Sequence, residues 1–235
     1  MLARGIRANA AIVTEPTRLV VAPAHRGFVW FTITLRGRAA HGSRYDIGID
    51  AIRHAGFLLS ELDLLEQRVL TRITHPLLGH ASLHAGLIQG GTALTAYPDK
   101  CALSIERRTL PGESPDDVHA QIEGACAEVK ARHPAFDATV SRDVFRPPSN
   151  VPVDAPIVKA LLEASEAATG VRAPIDGVSY WADAALLNSA GIPAVCYGPG
   201  DIALAHGAVE WIPTDEITRA TDVLQRFLTD WTCAQ

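Results

Sequence analysis

The segment AHGSRYDIGIDAI, residues 40–52, sets His41 between two small residues and then runs into an amphipathic pattern. An imidazole in a small-residue loop is either an ordinary solvated histidine or one placed to reach a reacting group. Five other residues raise the same question. Glu15 follows the short apolar run AAIV and stands in VTEPT, and His206 stands in AHGAVEW. A carboxylate and an imidazole at strand ends suit Zn²⁺ or a similar divalent ion. Read singly, a strand-end glutamate also serves as a salt-bridge or capping residue, and a loop histidine is also simply solvated. Arg107 and Arg108 are neighbours in IERRTLPGE. On a strand they must point to opposite faces, so one can meet a ligand while the other does not. Asp183, in ADAALLNSAG, is placed either to cap a helix or to line a site. The chain contains no glycine-rich phosphate loop and no Gly-x-Ser-x-Gly elbow.

These residues need elements to hold them. AAIVTEP, residues 10–16, reads as a buried strand that presents Glu15 at its end. GFVWFTITLRG, residues 27–37, alternates aromatic and β-branched residues and predicts a strand. Residues 47–70 carry apolar residues at helical spacing. Strands follow at 81–91 and 101–110, then a helix at 114–133 opened by Ser114 and Pro115, then an alternating strand at 136–145. From 27 to 145 the order is therefore β-α-β-β-α-β, the ferredoxin-like split arrangement of one antiparallel sheet with two helices on one face.

After residue 150 the pattern changes to helix 155–170 with a glycine C-cap, a short strand within 173–180, helix 182–191, strand 192–200 and a closing helix 214–231 capped by Thr214. That alternation predicts an α/β domain with a largely parallel sheet. The expected organisation is a domain at 22–148 inserted into a domain formed by 1–21 and 149–235, with Pro147 and Pro148 as the return linker.

Bulk properties narrow the function class. The chain has 235 residues, 48% of them hydrophobic and 20% charged, with a formal net charge of −5. That balance argues against nucleic acid or an anionic membrane as the main partner. No apolar run is long enough to span a bilayer. The segment MLARGIRANAAIV lacks the hydrophobic core and cleavage site of a signal peptide. Cys101, Cys126, Cys196 and Cys233 follow no metal or disulfide spacing, which points to reduced thiols in a cytoplasmic protein.

Taken in order, VTEPT (13–17), GRAAHGSRYDIGIDAI (37–52), GGTALTAYPDKC (90–101), IERRTLPGE (105–113), ADAALLNSAGIPAVCYGPG (182–200) and AHGAVEW (205–211) resemble the dinuclear-zinc deacylases and exopeptidases. That family includes acetylornithine deacetylase, succinyl-diaminopimelate desuccinylase, aminoacylase and carboxypeptidase G. The resemblance covers the C-terminal portion of the family's pattern. It implies a zinc-binding α/β domain with an inserted ferredoxin-like dimerisation lid, and a homodimer formed through that lid. It implies hydrolysis of the amide bond of an N-acyl amino acid or small peptide that carries a free carboxylate. Glu15 and His206 match metal ligands that bind different ions of a zinc pair, with cobalt or manganese as substitutes. His41 matches a lid histidine that reaches the partner subunit's site and holds the developing oxyanion. Arg108 matches the arginine that binds the substrate carboxylate, and Asp183 matches a site-lining aspartate.

The family's His-x-Asp motif, its bridging aspartate and its Glu-Glu pair, which carries the general base, have no counterpart in these 235 residues. Thr95 stands where many members carry asparagine. With about one protein ligand left per metal, the expectation is a chain that is inactive by itself. The alternatives are a non-catalytic dimerisation or binding module, or one half of a split enzyme.

Overall fold

A computed structural model describes residue 5 and residues 7–233. Residues 1–4, 6, 234 and 235 lie outside the described residues, and with them part of the MLARGIRANAAIV segment on which the expectation of no signal peptide rests. In chain order the elements are β1 (Ala11–Val13), β2 (Val21–His25), β3 (Gly27–Arg36), α1 (Ala51–Arg68), a 3₁₀ turn (Leu70–Arg72), β4 (Thr74–His75), β5 (Gly79–His80), β6 (Ser82–Gly90), β7 (Lys100–Thr109), α2 (Pro115–Arg132), β8 (Asp137–Arg146), β9 (Ser149–Asn150), α3 (Pro156–Thr169), β10 (Ile175–Val178), α4 (Ala184–Ser189), β11 (Ala194–Cys196), a second 3₁₀ turn (Ile202–Leu204) and α5 (Thr214–Cys233). They group into two compact units, one of residues 1–26, 76–78 and 147–235, the other of 27–75 and 79–146.

In the second unit local chemistry sets the ends of each element. Asp50 caps α1 by accepting the Arg53 N–H at 2.9 Å, and Ser114 caps α2 by accepting the Asp117 N–H at 3.1 Å. The four long strands order as β6-β7-β3-β8, all antiparallel. With the helices between β3 and β6 and between β7 and β8, this is the ferredoxin-like arrangement. Alternation assigns the faces. Val29, Phe31, Ile33 and Leu35 of β3, with Cys101, Leu103 and Ile105 of β7, are buried in one core with Leu58 and Leu62 of α1 and Ile122 and Val129 of α2. The other face carries Trp30, Thr32 and Glu106. The Trp30 indole donates to Glu106 at 2.6 Å, and the Thr32 hydroxyl donates to Asp143 at 2.6 Å.

The first unit holds a five-stranded sheet ordered β1-β11-β2-β10, with β9 also paired to β2. The sheet is mixed rather than largely parallel: β1–β11 and β2–β10 are parallel pairs, but β11 meets β2 antiparallel through one register pair, Cys196 with Ala22. The expected boundary at residue 22 falls inside β2, a strand that the sequence pattern does not reveal. VAPAH carries an internal proline, which reads against a strand. The strand accommodates it because β10 shifts register between Ile175 and Gly177, opposite Pro23. The Pro23 carbonyl still accepts the Val151 N–H at 2.9 Å. α3 and α5 cover one side of this sheet, with Val158, Leu161, Val223 and Phe227 in its core. α3 closes on Gly170 at φ 73°.

Two buried groups make these units sensitive to substitution and pH. Arg107, on the helix-covered face of β7, is 0% exposed and pairs with Glu113, whose other oxygen accepts the Leu110 N–H at 2.7 Å. Removing the guanidinium leaves that carboxylate without its cation. Arg107→Met is expected to destabilise the second unit by about 3–5 kcal/mol in urea unfolding. His25 of β2 is 2% exposed, and its Nδ1–H donates to the Arg26 carbonyl at 3.0 Å. Burial holds its pKa below the ordinary 6.5. The unfolded chain therefore binds the proton first, and the stabilising contribution of neutral His25 is lost as pH falls below about 6.5. The melting temperature is expected to drop between about pH 7.5 and 5.5, and His25→Phe to flatten that slope.

Candidate functional site

Glu15 sits two residues past β1, and its position is fixed by hydrogen bonds between two loops. The Tyr197 N–H donates to the Val13 carbonyl at 3.1 Å as β1 and β11 end together. The buried Thr17 hydroxyl then accepts the Gly198 N–H at 3.1 Å and donates to the Val20 carbonyl at 2.7 Å. Arg18 N–H donates to the Gly200 carbonyl at 2.9 Å, and Leu19 N–H to the Gly198 carbonyl at 3.0 Å. To make those bonds Arg18 and Leu19 take φ values of 55° and 61°, a left-handed conformation that costs side-chain-bearing residues about 1–2 kcal/mol each. Gly198 is required by the same closeness, because a Cβ there would stand 2.5 Å from the Glu15 carbonyl oxygen.

The Glu15 carboxyl is raised above its ordinary pKa of 4.5, first by burial and then by the charge of Asp183. Asp183 occupies the residue before α4, but its side chain makes no capping bond. It is exposed, and it acts electrostatically on Glu15. The structure therefore brings two of the expected residues together. Burial and Glu15 also act on two neighbours that the sequence pattern does not single out. The Cys196 thiol is pushed up to about 12, and the Tyr180 hydroxyl is raised. Tyr180 donates to the Pro16 carbonyl at 3.2 Å, bracing the glutamate's loop. A signal for Tyr180 does exist: GVSYWAD places a tyrosine three residues before Asp183.

His206 lies in the exposed loop after the second 3₁₀ turn. It is one of three non-glycine residues at positive φ among the described residues, at 62°, and its N–H donates to Glu210 at 3.2 Å. Among the described residues no three His, Cys, Asp or Glu side chains come together as a metal site. The donors among the described residues thus do not by themselves make a metal centre. Trp181 donates to the Pro147 carbonyl at 3.1 Å and meets the His25 ring edge-on at 6.5 Å, which is a packing role.

In the second unit, His41 lies in the exposed loop between β3 and α1. That loop is strapped to the 95–98 segment: Gly42 N–H donates to the Thr95 carbonyl at 2.7 Å, Tyr97 N–H to the Ala40 carbonyl at 2.8 Å, and Ala51 N–H to the Pro98 carbonyl at 3.0 Å. Thr95 thus serves the strap through its backbone. His41 Nδ1 lies 2.8 Å from the Ser43 hydroxyl and 3.3 Å from the Ser43 N–H, which can only donate. In the neutral ring Nδ1 is therefore the acceptor, and Nε2 carries the proton as a donor.

Arg108 is on the open face of β7, and Arg107 on the covered one. The Arg108 pair with Glu106 runs through Nε at 2.5 Å, and the guanidinium lies 5.5 Å over the Phe28 ring. That pair engages Nε, and the guanidinium's terminal N–H groups are a fork of the kind that suits a carboxylate. Arg108 pairs in register with Phe28 near one end of the sheet, while the His41 loop begins beyond the opposite end, at Arg36 and Lys100. Eight residues of strand separate the two ends, roughly 25 Å.

Residues 23–134 match the family model for a peptidase dimerisation domain. Acetylornithine deacetylase of Myxococcus xanthus is 34% identical over 94% of this chain and 57% of its own length. N-acetyl-L-citrulline deacetylase of Xanthomonas campestris is 30% identical over 97% of this chain and 60% of its own. Over residues 23–134 the chain carries the peptidase dimerisation domain, and over nearly its whole length it is similar to these deacylases. It spans about three-fifths of the length of the curated relatives it matches. The fold is shared with the aminopeptidase PepT of Bacillus cereus, at a TM-score of 0.78 and 20% identity over 95% of this chain and 57% of that one. It is also shared with a Staphylococcus aureus tripeptidase, at 0.77 and 18% over 97% and 58%.

The lacing of the two loops of the first unit predicts a specific sensitivity. Gly198→Ala forces the Glu15 backbone aside. It is expected to destabilise that unit by about 1–3 kcal/mol in denaturant unfolding, leaving the second unit's transition in place. Gly124→Ala, where a Cβ meets nothing within 4 Å, is expected to cost no stability and serves as the control.

Proposed function

We propose that this chain is the substrate-positioning and dimerisation portion of a metal-dependent amide hydrolase of the acetylornithine deacetylase type. Its substrates are small N-acyl amino acids or short peptides with a free carboxylate. The observation that carries the reading is the lacing that fixes Glu15 at the end of β1, where burial first and the charge of Asp183 second raise its carboxyl, an arrangement that a divalent cation relieves. Glu15 and His206 would each hold a different ion of a zinc pair, with cobalt or manganese as substitutes. The remaining ligands and the general base come from outside these 235 residues, since no His-x-Asp or Glu-Glu is present. The metal pair supplies the polarised carbonyl and activated water of such enzymes when bound.

The chain's own residues do the positioning. The Arg108 fork holds the substrate carboxylate. His41 offers its Nε2–H to the oxyanion that develops as the amide carbon becomes tetrahedral. Because the two residues stand at opposite ends of one sheet, one copy cannot bring both to a small molecule, and two copies are needed. The edge strand β6 supports pairing of lids: it is at the end of the sheet order, with Leu87 66% and Ile88 52% exposed. We place the protein in the cytoplasm. Cys101, Cys126 and Cys196 are free thiols, and no helix among the described residues is long and apolar enough to cross a membrane.

The missing ligand set also favours a second reading, a binding or dimerisation module without catalysis. Metal analysis and amide hydrolysis on N-acetyl amino acids separate the two. The comparison is between the 235-residue chain and a version extended upstream in its reading frame. The chain alone is expected to hold no metal after dialysis and to turn nothing over. The extended version is expected to hold two ions and be active, with His41→Ala lowering kcat about 10²–10³-fold and Arg108→Ala raising KM. Two tightly held ions and robust turnover in the 235-residue chain alone would refute the reading. An extended version without metal or activity would establish the module instead.

A further inference from the structure

Behind the Glu15 loop the first unit contains a cavity of about 170 Å³ between the end of β11, the C-terminal part of α3, the 171–174 segment and the start of α5. Three arginines line it, Arg18, Arg172 and Arg219, and so does Tyr197. Each guanidinium has one carboxylate partner: Arg18 has Asp201 at 3.7 Å, Arg172 has Glu166 at 3.1 Å, and Arg219 has Asp215 at 2.9 Å. None of those three carboxylates lines the cavity. A guanidinium has five N–H donors, so one partner each leaves donors for a further acceptor. Glu216 is the one acidic residue in the lining, and one of its oxygens accepts the Gly200 N–H at 2.8 Å.

Tyr197 is the second, independent observation. It is 1% exposed as a residue, and its phenol makes no hydrogen bond to another described residue, while its oxygen is not one of the fully enclosed atoms left without a partner. The hydroxyl is not sealed in apolar packing either, because Tyr197 borders the cavity together with Arg219 and Ser165. Ser165 is satisfied, donating to the Val171 carbonyl at 3.0 Å and accepting the Ala173 N–H at 2.7 Å. Burial pushes the Tyr197 hydroxyl up to about 12, with Arg219 pulling it the other way, so at neutral pH it is a protonated donor. The cavity therefore gathers an unused O–H and three cationic forks around a space bordered by a single, already engaged carboxylate.

We propose that this cavity binds a small oxyanion, a phosphate or a short carboxylate, through Arg18, Arg172, Arg219 and the Tyr197 hydroxyl. The cavity follows the carboxyl end of β11, where ligands of open α/β sheets bind. Occupancy would reach the Glu15 loop through two bonds. Arg18 donates its backbone N–H to the Gly200 carbonyl, and Glu216 accepts the Gly200 N–H.

The test is isothermal titration of the purified chain with inorganic phosphate and, separately, with succinate, at ionic strength held constant with chloride. One saturable site per chain is expected, and the anion that binds identifies the source. Arg219→Gln is expected to weaken binding about tenfold or more. Tyr197→Phe, which keeps the ring and the packing, is expected to weaken it about three- to tenfold. Arg226→Gln, on the same helix but outside the lining, should leave it unchanged. Absence of saturable binding of both anions overturns the proposal, and so does binding that Arg219→Gln and Tyr197→Phe leave intact.

Discussion

The first unit depends on one short-range constraint, the lacing of residues 13–20 to residues 197–200. Three register pairs join β1 to β11, too few to hold a strand end in place by ladder bonds alone. The Thr17 hydroxyl and the backbone N–H groups of Arg18 and Leu19 complete the connection. The cost is two residues in left-handed conformation and a glycine that tolerates no Cβ. What that cost secures is the position of a single carboxylate. Glu15 is held where burial and Asp183 both disfavour its charge, a placement that packing alone would not select.

The second unit solves the same problem for His41 in a different way. Its sheet is long, with ten register pairs between β3 and β7, and one continuous core beneath it. The histidine loop leaves that rigid base and is strapped through backbone bonds to a second loop. Close approach is again met by glycine. A Cβ on Gly37 would stand 2.2 Å from the Ile49 carbonyl, and one on Gly48 2.5 Å from the Tyr97 ring. The loop is exposed but not slack, and Ser43 settles which ring nitrogen can donate.

What could be read in the residues was the part with strong local patterns. The alternation of GFVWFTITLR became β3 with its apolar residues buried in turn, and Ser114 and Gly170 set helix ends through capping chemistry. The hidden part was non-local. β2 was obscured by Pro23, which is tolerated only because its neighbour β10 breaks register beside it. The antiparallel join of β11 to β2 turns on one register pair that no sequence period encodes. Adjacent Arg107 and Arg108 had to face apart. Which one was covered depended on where α1 and α2 lay. The nearness of Glu15 and Asp183 arises from elements far apart in sequence, and the ordered motifs suggested it where spacing did not.

The contrast between the two units bears on what a chain of this extent can do. The second unit has every strand of its β-α-β-β-α-β set, two 18-residue helices over one face, and its charged core residue matched by Glu113. The first has strands of two to five residues, with β1 at the end of the sheet order and paired on one side only. The residues proposed to align a substrate, Arg108 and His41, sit on the complete unit. The carboxylate suited to a metal sits on the unit whose own described donors are too few to hold one. Positioning and chemistry are therefore separable here. The second unit, with its own core, can keep the geometry of Arg108 and His41 independently of whether a cation is held beside Glu15.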